Sequence, residues 1–422
     1  MREVNEMADN WLSKFGFWKS PYSTKPLSAE EGDKLLVGRE KEVRILTQRL
    51  TASSRIPILV GDNGVGKTSI ANVVAFRLSK EYKTGDQRYF VLDLNRIRNT
   101  HLSDPEVFER YLYYEIIFLL LHQKEFLKQR GISDQEFNEV YYLTHKMVSN
   151  EDQVAIGVIG VEGGQPNPFK ESYLFKMIRE WLSKCFCKPY SGGIICVIDN
   201  LENNGTSRQV QNILETLRDT VFAIPGLLWI LCGTPISVNS SLASKRLEGY
   251  LECQEIYAID ECIVPELIAR RIEYFSKENA DPPVNQKLFE FIYSVVNSQL
   301  RVALSLCEEF ADYLFTYPKH QSKDNRALEF KAWLKEKATE LPDREYEIPS
   351  ISWRLFEAIT DLGTDVFSIQ YAILGFENEE QLYNAAFPLI TKRLIEEVKM
   401  EPGYVLRVTQ EGWLVNYKRS NK

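Results

Sequence analysis

The stretch "GDNGVGKTS", Gly61 to Ser69, fits the pattern G-x-x-x-x-G-K-[ST] without departure. It stands between "IPILV" (Ile56 to Val60), an apolar run suited to a buried strand, and a helix-patterned stretch from Thr68 to Lys80. Strand, glycine-rich loop and helix in that order form a phosphate cradle, and a chain that carries one is expected to be built on a parallel sheet. Gly61, Gly64 and Gly66 let the backbone curl so that amides face phosphate oxygens at a helix N-terminus, with Asp62, Asn63, Val65 and Ser69 completing the loop. Lys67 is placed to bridge the β- and γ-phosphates, and Thr68 to offer its hydroxyl to Mg²⁺.

Further apolar runs of the buried-strand type follow at "YFVLDL" (Tyr89 to Leu94), "GIICVID" (Gly193 to Asp199), "LLWILC" (Leu227 to Cys232) and "QEIYAI" (Gln254 to Ile259). Helical stretches such as Ser207 to Phe222 separate them, which predicts a three-layer α/β domain with crossover helices over residues 37–260. Between the second and third strands, at about 100–188, lies an insert that reads as helical from Asp104 to Lys146 and then as an extended or hairpin segment in "QVAIGVIGVEGG". Insertions of this kind are natural places for partner contacts.

After Glu261 the strands stop. Helices Pro265 to Lys277, Gln286 to Val296 and Gln299 to Thr316 form a lid-like bundle over 261–342, ending in a loop "KHQSKDNR" with another helix beyond it and an acidic linker "LPDREYEIPS". Residues 343–422 read as helices near Ile351 to Leu362, Phe367 to Leu374 and Glu379 to Glu397, then two strands in "EVKMEPGYVLRV" turning at Glu401-Pro402-Gly403, the order of a winged helix. Residues 1–36 hold Trp11, Phe15, Phe17 and Trp18, which would be costly to leave in water and are expected to pack on the first domain; a peptide that binds a neighbouring subunit is the alternative.

No apolar run reaches the roughly 18 residues of a membrane span, and "IIFLLL" (Ile116 to Leu121) reads as a core helix. The N-terminus has no apolar signal region, so a cytoplasmic protein without membrane contact is expected. Seven cysteines without a C-x-x-C pair suit reduced thiols, and four scattered histidines give no zinc spacing. A net charge of −8 argues against a surface that broadly coats nucleic acid, although a local basic patch is compatible with it.

Asp199, at the end of the third strand, is the natural Mg²⁺ acid, or else a cap for the next helix. Asn200 stands where many ATPases carry the glutamate that activates water, and Glu202 follows two residues later. If the chain stays in a tight turn, Glu202 can swing toward an attacking water; if it opens the next helix, its carboxylate points away. Slow hydrolysis is the consequence expected of this displacement.

"VGRE" (Val37 to Glu40), the glycine-rich loop, "VIDNLE" and "CGT" in this order resemble the AAA+ and STAND branch of P-loop ATPases. The layout is similar to that of origin-recognition initiators and of bacterial switch ATPases ending in a winged helix, over roughly Val37 to Tyr417, with only the P-loop specific by itself. The resemblance implies ATP, and no guanine-reading N-K-x-D motif contradicts it. It also implies that Gly38 and Arg39 cradle base and ribose, that Thr234 is a sensor 1 residue facing the γ-phosphate, and that Arg301 is a sensor 2 arginine. Arg246, or Lys245, stands where an arginine finger for a neighbouring subunit would lie, against the plainer reading of a solvated charge. Asn200 and the long insert depart from the family pattern.

A winged helix suggests duplex DNA, yet Glu379 and Glu380 open the third helix at the end that would meet the groove. Lys392, Arg393, Lys399 and the basic tail "YKRSNK" are the compensating charges. Together these point to an ATP-gated switch that self-associates through its ATPase domain or engages a protein partner, in a setting such as bacterial antiviral defence or mobile-element control. An ATP-dependent DNA-binding initiator or loader is the alternative. A constitutive ring motor would call for a pore-loop aromatic pattern that the sequence does not show.

Overall fold

The computed structural model describes residues 10–81, 89–91, 102, 104–148, 168–186, 192–317, 325–340, 348–399 and 403–420. The expected hairpin in "QVAIGVIGVEGG", most of the loop "KHQSKDNR", residues 341–347 of the acidic linker and the turn at Glu401-Pro402 lie outside these residues.

Strands β1 (Ile56–Val60), β2 (Tyr89–Val91), β3 (Gly193–Ile198), β4 (Leu227–Gly233) and β5 (Leu251–Glu255) form one parallel sheet in the order β2-β3-β4-β1-β5. Alternate side chains face opposite layers. Ile58, Val60, Ile194, Cys196, Ile198, Trp229 and Leu231 pack with helices Pro105–Leu121, Pro168–Cys185 and Ser207–Asp219. Leu59, Ile195, Val197, Ile230 and Cys232 pack with helices Glu40–Ala52 and Lys67–Glu81. Helices cover both faces, which is why the central strands read as unbroken apolar runs. The helical insert divides into Pro105–Leu121, Lys124–Gln129 and Asp134–Val148 before Pro168–Cys185.

The edge strand differs from expectation. β5 runs three residues earlier than "QEIYAI", in register from Ile56↔Leu251 to Val60↔Glu255. An edge position tolerates polar residues, here tied inward by Arg49 to Glu252 at 3.0 Å and by the Gln254 amide to the Glu42 carbonyl at 2.9 Å. The apolar Ile256 and Ile259 that suggested a strand instead bury themselves beyond its end, Ile259 among the lid helices.

Helices Val264–Phe275, Gln286–Val295, Leu300–Thr316 and Arg326–Glu340 make the lid, and the N-terminal arm is built into its core. Trp11, Phe15, Phe17 and Tyr22 pack with Phe275, Phe289, Phe310 and Phe330, so the expected packing on the sheet domain is corrected to the lid. The cause is chemical fit. Tyr22 Oη donates to the Val284 carbonyl at 2.6 Å and accepts from the Val284 amide, and Phe17 bridges to Ser276 in extended backbone. Trp18 is half exposed, edge-on to Phe275. The short helix Ala29–Leu35 sits on the phosphate-loop helix, where a Cβ on Gly32 would come within 2.5 Å of Val73, and Asn72 of that helix donates to the Leu27 carbonyl at 3.2 Å. Phe17→Ala, at a position 1% exposed, is expected to destabilise the lid by about 3–5 kcal/mol. Denaturant unfolding checks this; an unshifted midpoint would show the arm to be a detachable tail.

The C-terminal unit has helix Ser350–Leu362, strand β6 (Val366–Phe367), helix Glu379–Thr391, strands β7 (Ile395–Lys399) and β8 (Tyr404–Val408), and helix Gln410–Ser420. Its antiparallel sheet has the order β6-β8-β7. Three expectations change here. The helix over Phe367 to Leu374 is a strand end, a single 3₁₀ turn at Ser368–Gln370 and further turns, because β6 pairs with β8 through Phe367↔Val405. The helix expected to reach Glu397 stops at Thr391, where Arg393 takes a positive φ of 59° and feeds β7. The described part of the basic tail, Tyr417 to Ser420, is the last turn of a helix that docks on the lid: Leu414 joins the lid core and Tyr417 meets Phe291 edge-on. Among the described residues no helix is long and apolar enough to cross a membrane.

Candidate functional site

The glycine-rich loop leaves β1 and enters helix Lys67–Glu81 as the spacing predicts. Gly61 is required by proximity, since a Cβ there would stand 2.2 Å from the Ile256 carbonyl oxygen. Gly64 is required by conformation, with φ at 91°. Lys67 is buried, and its ammonium donates to the Gly61 carbonyl at 2.7 Å and the Asp62 carbonyl at 3.0 Å. Burial lowers its pKa, against the opposing pull of Glu202, Cys232, Asp199 and Asp62.

Thr68 Oγ1 donates to Asp199 Oδ2 at 2.6 Å. Asp199 is buried at the end of β3, and its other oxygen accepts from the Asn200 amide at 3.0 Å. It is not the cap of the following helix: Thr206 is, in a capping box with Gln209. The acid therefore belongs to the phosphate loop. Loop, helix and acid together have the geometry of a phosphate-binding cradle. Thr68 and Asp199 supply two adjacent hard oxygen donors, the share a protein contributes to Mg²⁺ when phosphates provide more of its ligands.

Asn200 decides where Glu202 goes. It takes a left-handed conformation, φ 55° and ψ 53°, which turns the chain at once into the 3₁₀ turn Leu201–Asn204. Glu202 is thereby brought inward. Among carboxylates its charge acts most strongly on Lys67, and its Oε2 is buried without a hydrogen-bond partner among the described residues. A buried carboxylate oxygen without a donor is an open acceptor for a water.

The remaining expected residues divide. Asn63, Gly64, Val65, Gly66, Lys67, Thr68, Ser69, Arg39 and Arg301 line one continuous cleft with Asn200. Arg39 is buried and ties that cleft together, donating to Glu42 at 3.1 Å, to the Val65 carbonyl at 2.9 Å and to the Tyr257 carbonyl at 2.6 Å. Arg301 stands over the loop, 2.9 Å from where a Gly64 Cβ would be. Gly38 faces away: a Cβ there would meet Ile263 at 2.9 Å. Thr234 does not line the cleft; its hydroxyl caps helix Pro235–Leu242 and is engaged with Ser237. Arg246 is paired within its own chain, to Asp219 at 2.6 Å and Glu215 at 3.4 Å, because those acids lie on the facing helix Ser207–Asp219.

Two contributors were missed by sequence reasoning. The arm segment Ser23 to Leu27, Ile259, and lid residues Leu267, Arg271 and Leu304 also line the cleft. Arg407, on β8 of the C-terminal unit, lies 3.8 Å from Asp62 Oδ1 in the phosphate loop. Neither carries a motif. Arg271 does fall on the buried face of its helix, in step with Val264, Leu267, Ile268 and Phe275.

No family model matches the chain, and no curated protein matches it. Among solved structures, the chain is similar to the Orc1 protein of Aeropyrum pernix in complex with DNA, at 13% identity and TM-score 0.44 over 96% of this chain and 97% of that one. It is similar to the Walker-type ATPase paby2304 of Pyrococcus abyssi, at 15% identity and TM-score 0.44 over 94% and 99%. Cdc6p from Pyrobaculum aerophilum follows at 12% identity and TM-score 0.40 over 95% and 98%. Likeness at this level concerns layout and carries nothing about activity.

Proposed function

We propose that this chain is an ATP-binding, slowly hydrolysing switch whose nucleotide state controls self-association or engagement of a protein partner. The observation that carries the reading is the reach of the C-terminal unit into the phosphate loop. Arg407 is gripped by both oxygens of Asp365, with contacts at 2.9 Å and 2.5 Å, lies 3.6 Å from Glu396 on β7, and reaches Asp62 at 3.8 Å. The Asp365 hydrogen bonds raise its pKa, so the cation is permanent. Phosphate charge arriving beside Asp62 competes for that guanidinium, and the two nucleotide states then differ in what Arg407 touches. Asn297 of the lid, donating to the Gly363 carbonyl at 2.7 Å, is a second tie to the same unit.

In this reading Lys67 and the loop amides hold the phosphates, Thr68 and Asp199 hold Mg²⁺, and Arg301 closes the cleft from the lid. The ion neutralises phosphate charge when bound. Glu202 accepts the proton of the attacking water, since the Asn200 amide cannot, and the displaced base makes turnover slow. Thr234, already engaged as a cap, and Arg246, paired in cis, have subordinate roles.

A DNA-directed reading has less support, because Glu379 and Glu380 occupy the first turn of helix Glu379–Thr391. The deciding experiment is particle mass with ATP or ADP, with and without duplex DNA. Wild type is expected to gain mass with ATP alone, and Arg407→Ala to gain it without ATP. No ATP-dependent change in mass, with salt-sensitive duplex binding lost in Lys392→Glu/Arg393→Glu, would move the assignment to an initiator or loader.

A further inference from the structure

Helix Glu379–Thr391 buries Leu382, Ala385, Ala386 and Leu389 in the core of the C-terminal unit and turns its opposite face outward. The outward residues are Glu380, Gln381, Asn384, Phe387 and Thr391, and none of them is a cation. Phe387 is 55% exposed and ends an aromatic ridge. Its ring lies 6.2 Å from that of Tyr383, which in turn meets Tyr404 of β8 edge-on at 5.6 Å. At the Tyr404 end, the Tyr404 amide donates to Ser368 Oγ at 3.2 Å, and Ile369, next in the chain, is 59% exposed. A run of exposed rings with an exposed aliphatic residue at its end is the mark of a contact surface.

The chemistry around the ridge has one charge preference. Glu379 and Glu380 occupy the first turn of the helix and Glu377 precedes it. Tyr404 Oη donates to the Glu379 carbonyl at 3.3 Å, and burial first, then the charges of Glu379 and Glu397, push its pKa up to about 12. Both carboxylates therefore act on the ridge. Pro388 lies inside the helix and has no N–H, so the carbonyl of Asn384, on the exposed turn, loses its helical donor. Aromatic faces, carboxylates and an open carbonyl all favour a cationic donor, and none of them draws a phosphate. Lys392 and Arg393 follow the last turn, where Arg393 lines the groove shared with Lys337 of the lid.

We infer that the outer face of helix Glu379–Thr391, with Tyr404, is a docking surface for a protein partner that presents an amphipathic segment, an apolar row bordered by Arg or Lys. The inference rests on the reading of the chain as a switch that engages a protein partner, and gives that partner a place and a chemistry. Duplex DNA would set phosphates against Glu379 and Glu380. A second copy of this chain would bring a net charge of −8 to an acidic face. A basic amphipathic segment instead covers Phe387 with its apolar row and sets its cations over Tyr383 and beside the carboxylates.

The probe is a synthetic amphipathic peptide of Leu and Arg in helical periodicity, compared with a peptide of the same composition whose apolar row is broken, and with duplex DNA. Binding is measured for wild type, Phe387→Ala, Glu379→Gln/Glu380→Gln and the control Glu180→Gln/Glu278→Gln, which removes two exposed acids elsewhere. Phe387→Ala and Glu379→Gln/Glu380→Gln are each expected to weaken the ordered peptide by about tenfold, and the control by less than about twofold. The broken peptide is expected to bind wild type at least about tenfold more weakly. Equal binding of the two peptides, no binding of either, or equal losses in the control would overturn the proposal. Duplex binding or self-association that is lost in Phe387→Ala would give the face to those occupants and overturn it as well. Particle mass with ATP or ADP separates this inference from the one it rests on. A nucleotide-dependent mass without peptide binding would leave the switch and sink the surface. Peptide binding through Phe387, with mass and peptide affinity both indifferent to nucleotide, would leave the surface and sink the switch.

Discussion

Glu202→Gln should lower the single-turnover rate of ATP hydrolysis by about 10²–10³-fold while changing nucleotide affinity by less than about threefold, the signature of a lost general base. The substitution keeps size and leaves the P-loop contacts intact, so binding is preserved. What it removes is the proton acceptor. The geometry behind the expectation is local: Asn200 sits in the left-handed region, the 3₁₀ turn follows immediately, and Glu202 Oε2 ends buried with no donor among the described residues. Asn is among the few residues that adopt this conformation at modest cost, so the same residue that withholds the usual carboxylate also builds the turn that presents the next one. An unchanged rate in Glu202→Gln would place the base elsewhere and remove the structural reason for slow turnover. A parallel loss of affinity would instead show Glu202 to be structural, holding Lys67.

Much of the sheet domain was legible because its signals are local. Strand, glycine loop and helix are contiguous in Ile56–Glu81, and the central strands are apolar on both faces. The pairing of Thr68 with Asp199 joins residues 131 apart, yet each was legible from its own motif. The losses occurred where neighbours decide. β5 was misplaced because an edge strand needs only one partner and its polar residues are satisfied by helix Glu40–Ala52. The arm was assigned to the wrong body because Trp11 and Phe17 state only that they must be buried, not against what. Thr234 fits a family position but is equally a helix cap in Thr-Pro-Ile-Ser, and the cap is what forms. Arg271 and Arg407 are functional candidates only through their partners, which lie 248 residues away at Ser23 and on the phosphate loop at Asp62.

Lys67→Ala should lower ATP affinity by at least about 10²-fold and abolish any ATP-dependent change in particle mass. At about 4 Å and an effective dielectric of about 20, one unit charge contributes about 4 kcal/mol of attraction, of which about 2.7 kcal/mol corresponds to two decades in affinity. The attraction is not realised in full, because the ammonium must leave the Gly61 and Asp62 carbonyls to reach a phosphate. Charge-assisted hydrogen bonds exchanged for carbonyl contacts still favour the phosphate, and burial keeps water from screening the exchange. Departure of Lys67 from the Asp62 carbonyl also alters the residue whose carboxylate faces Arg407, so the step that binds phosphate and the step that signals to the C-terminal unit share one residue. Asp62→Ala is the companion variant: it should keep ATP binding within about threefold, since the carbonyl remains, while uncoupling mass from nucleotide. Calorimetric binding alongside particle mass reads both. Loss of binding in Asp62→Ala as deep as in Lys67→Ala would mean that the carboxylate serves the nucleotide and not the latch.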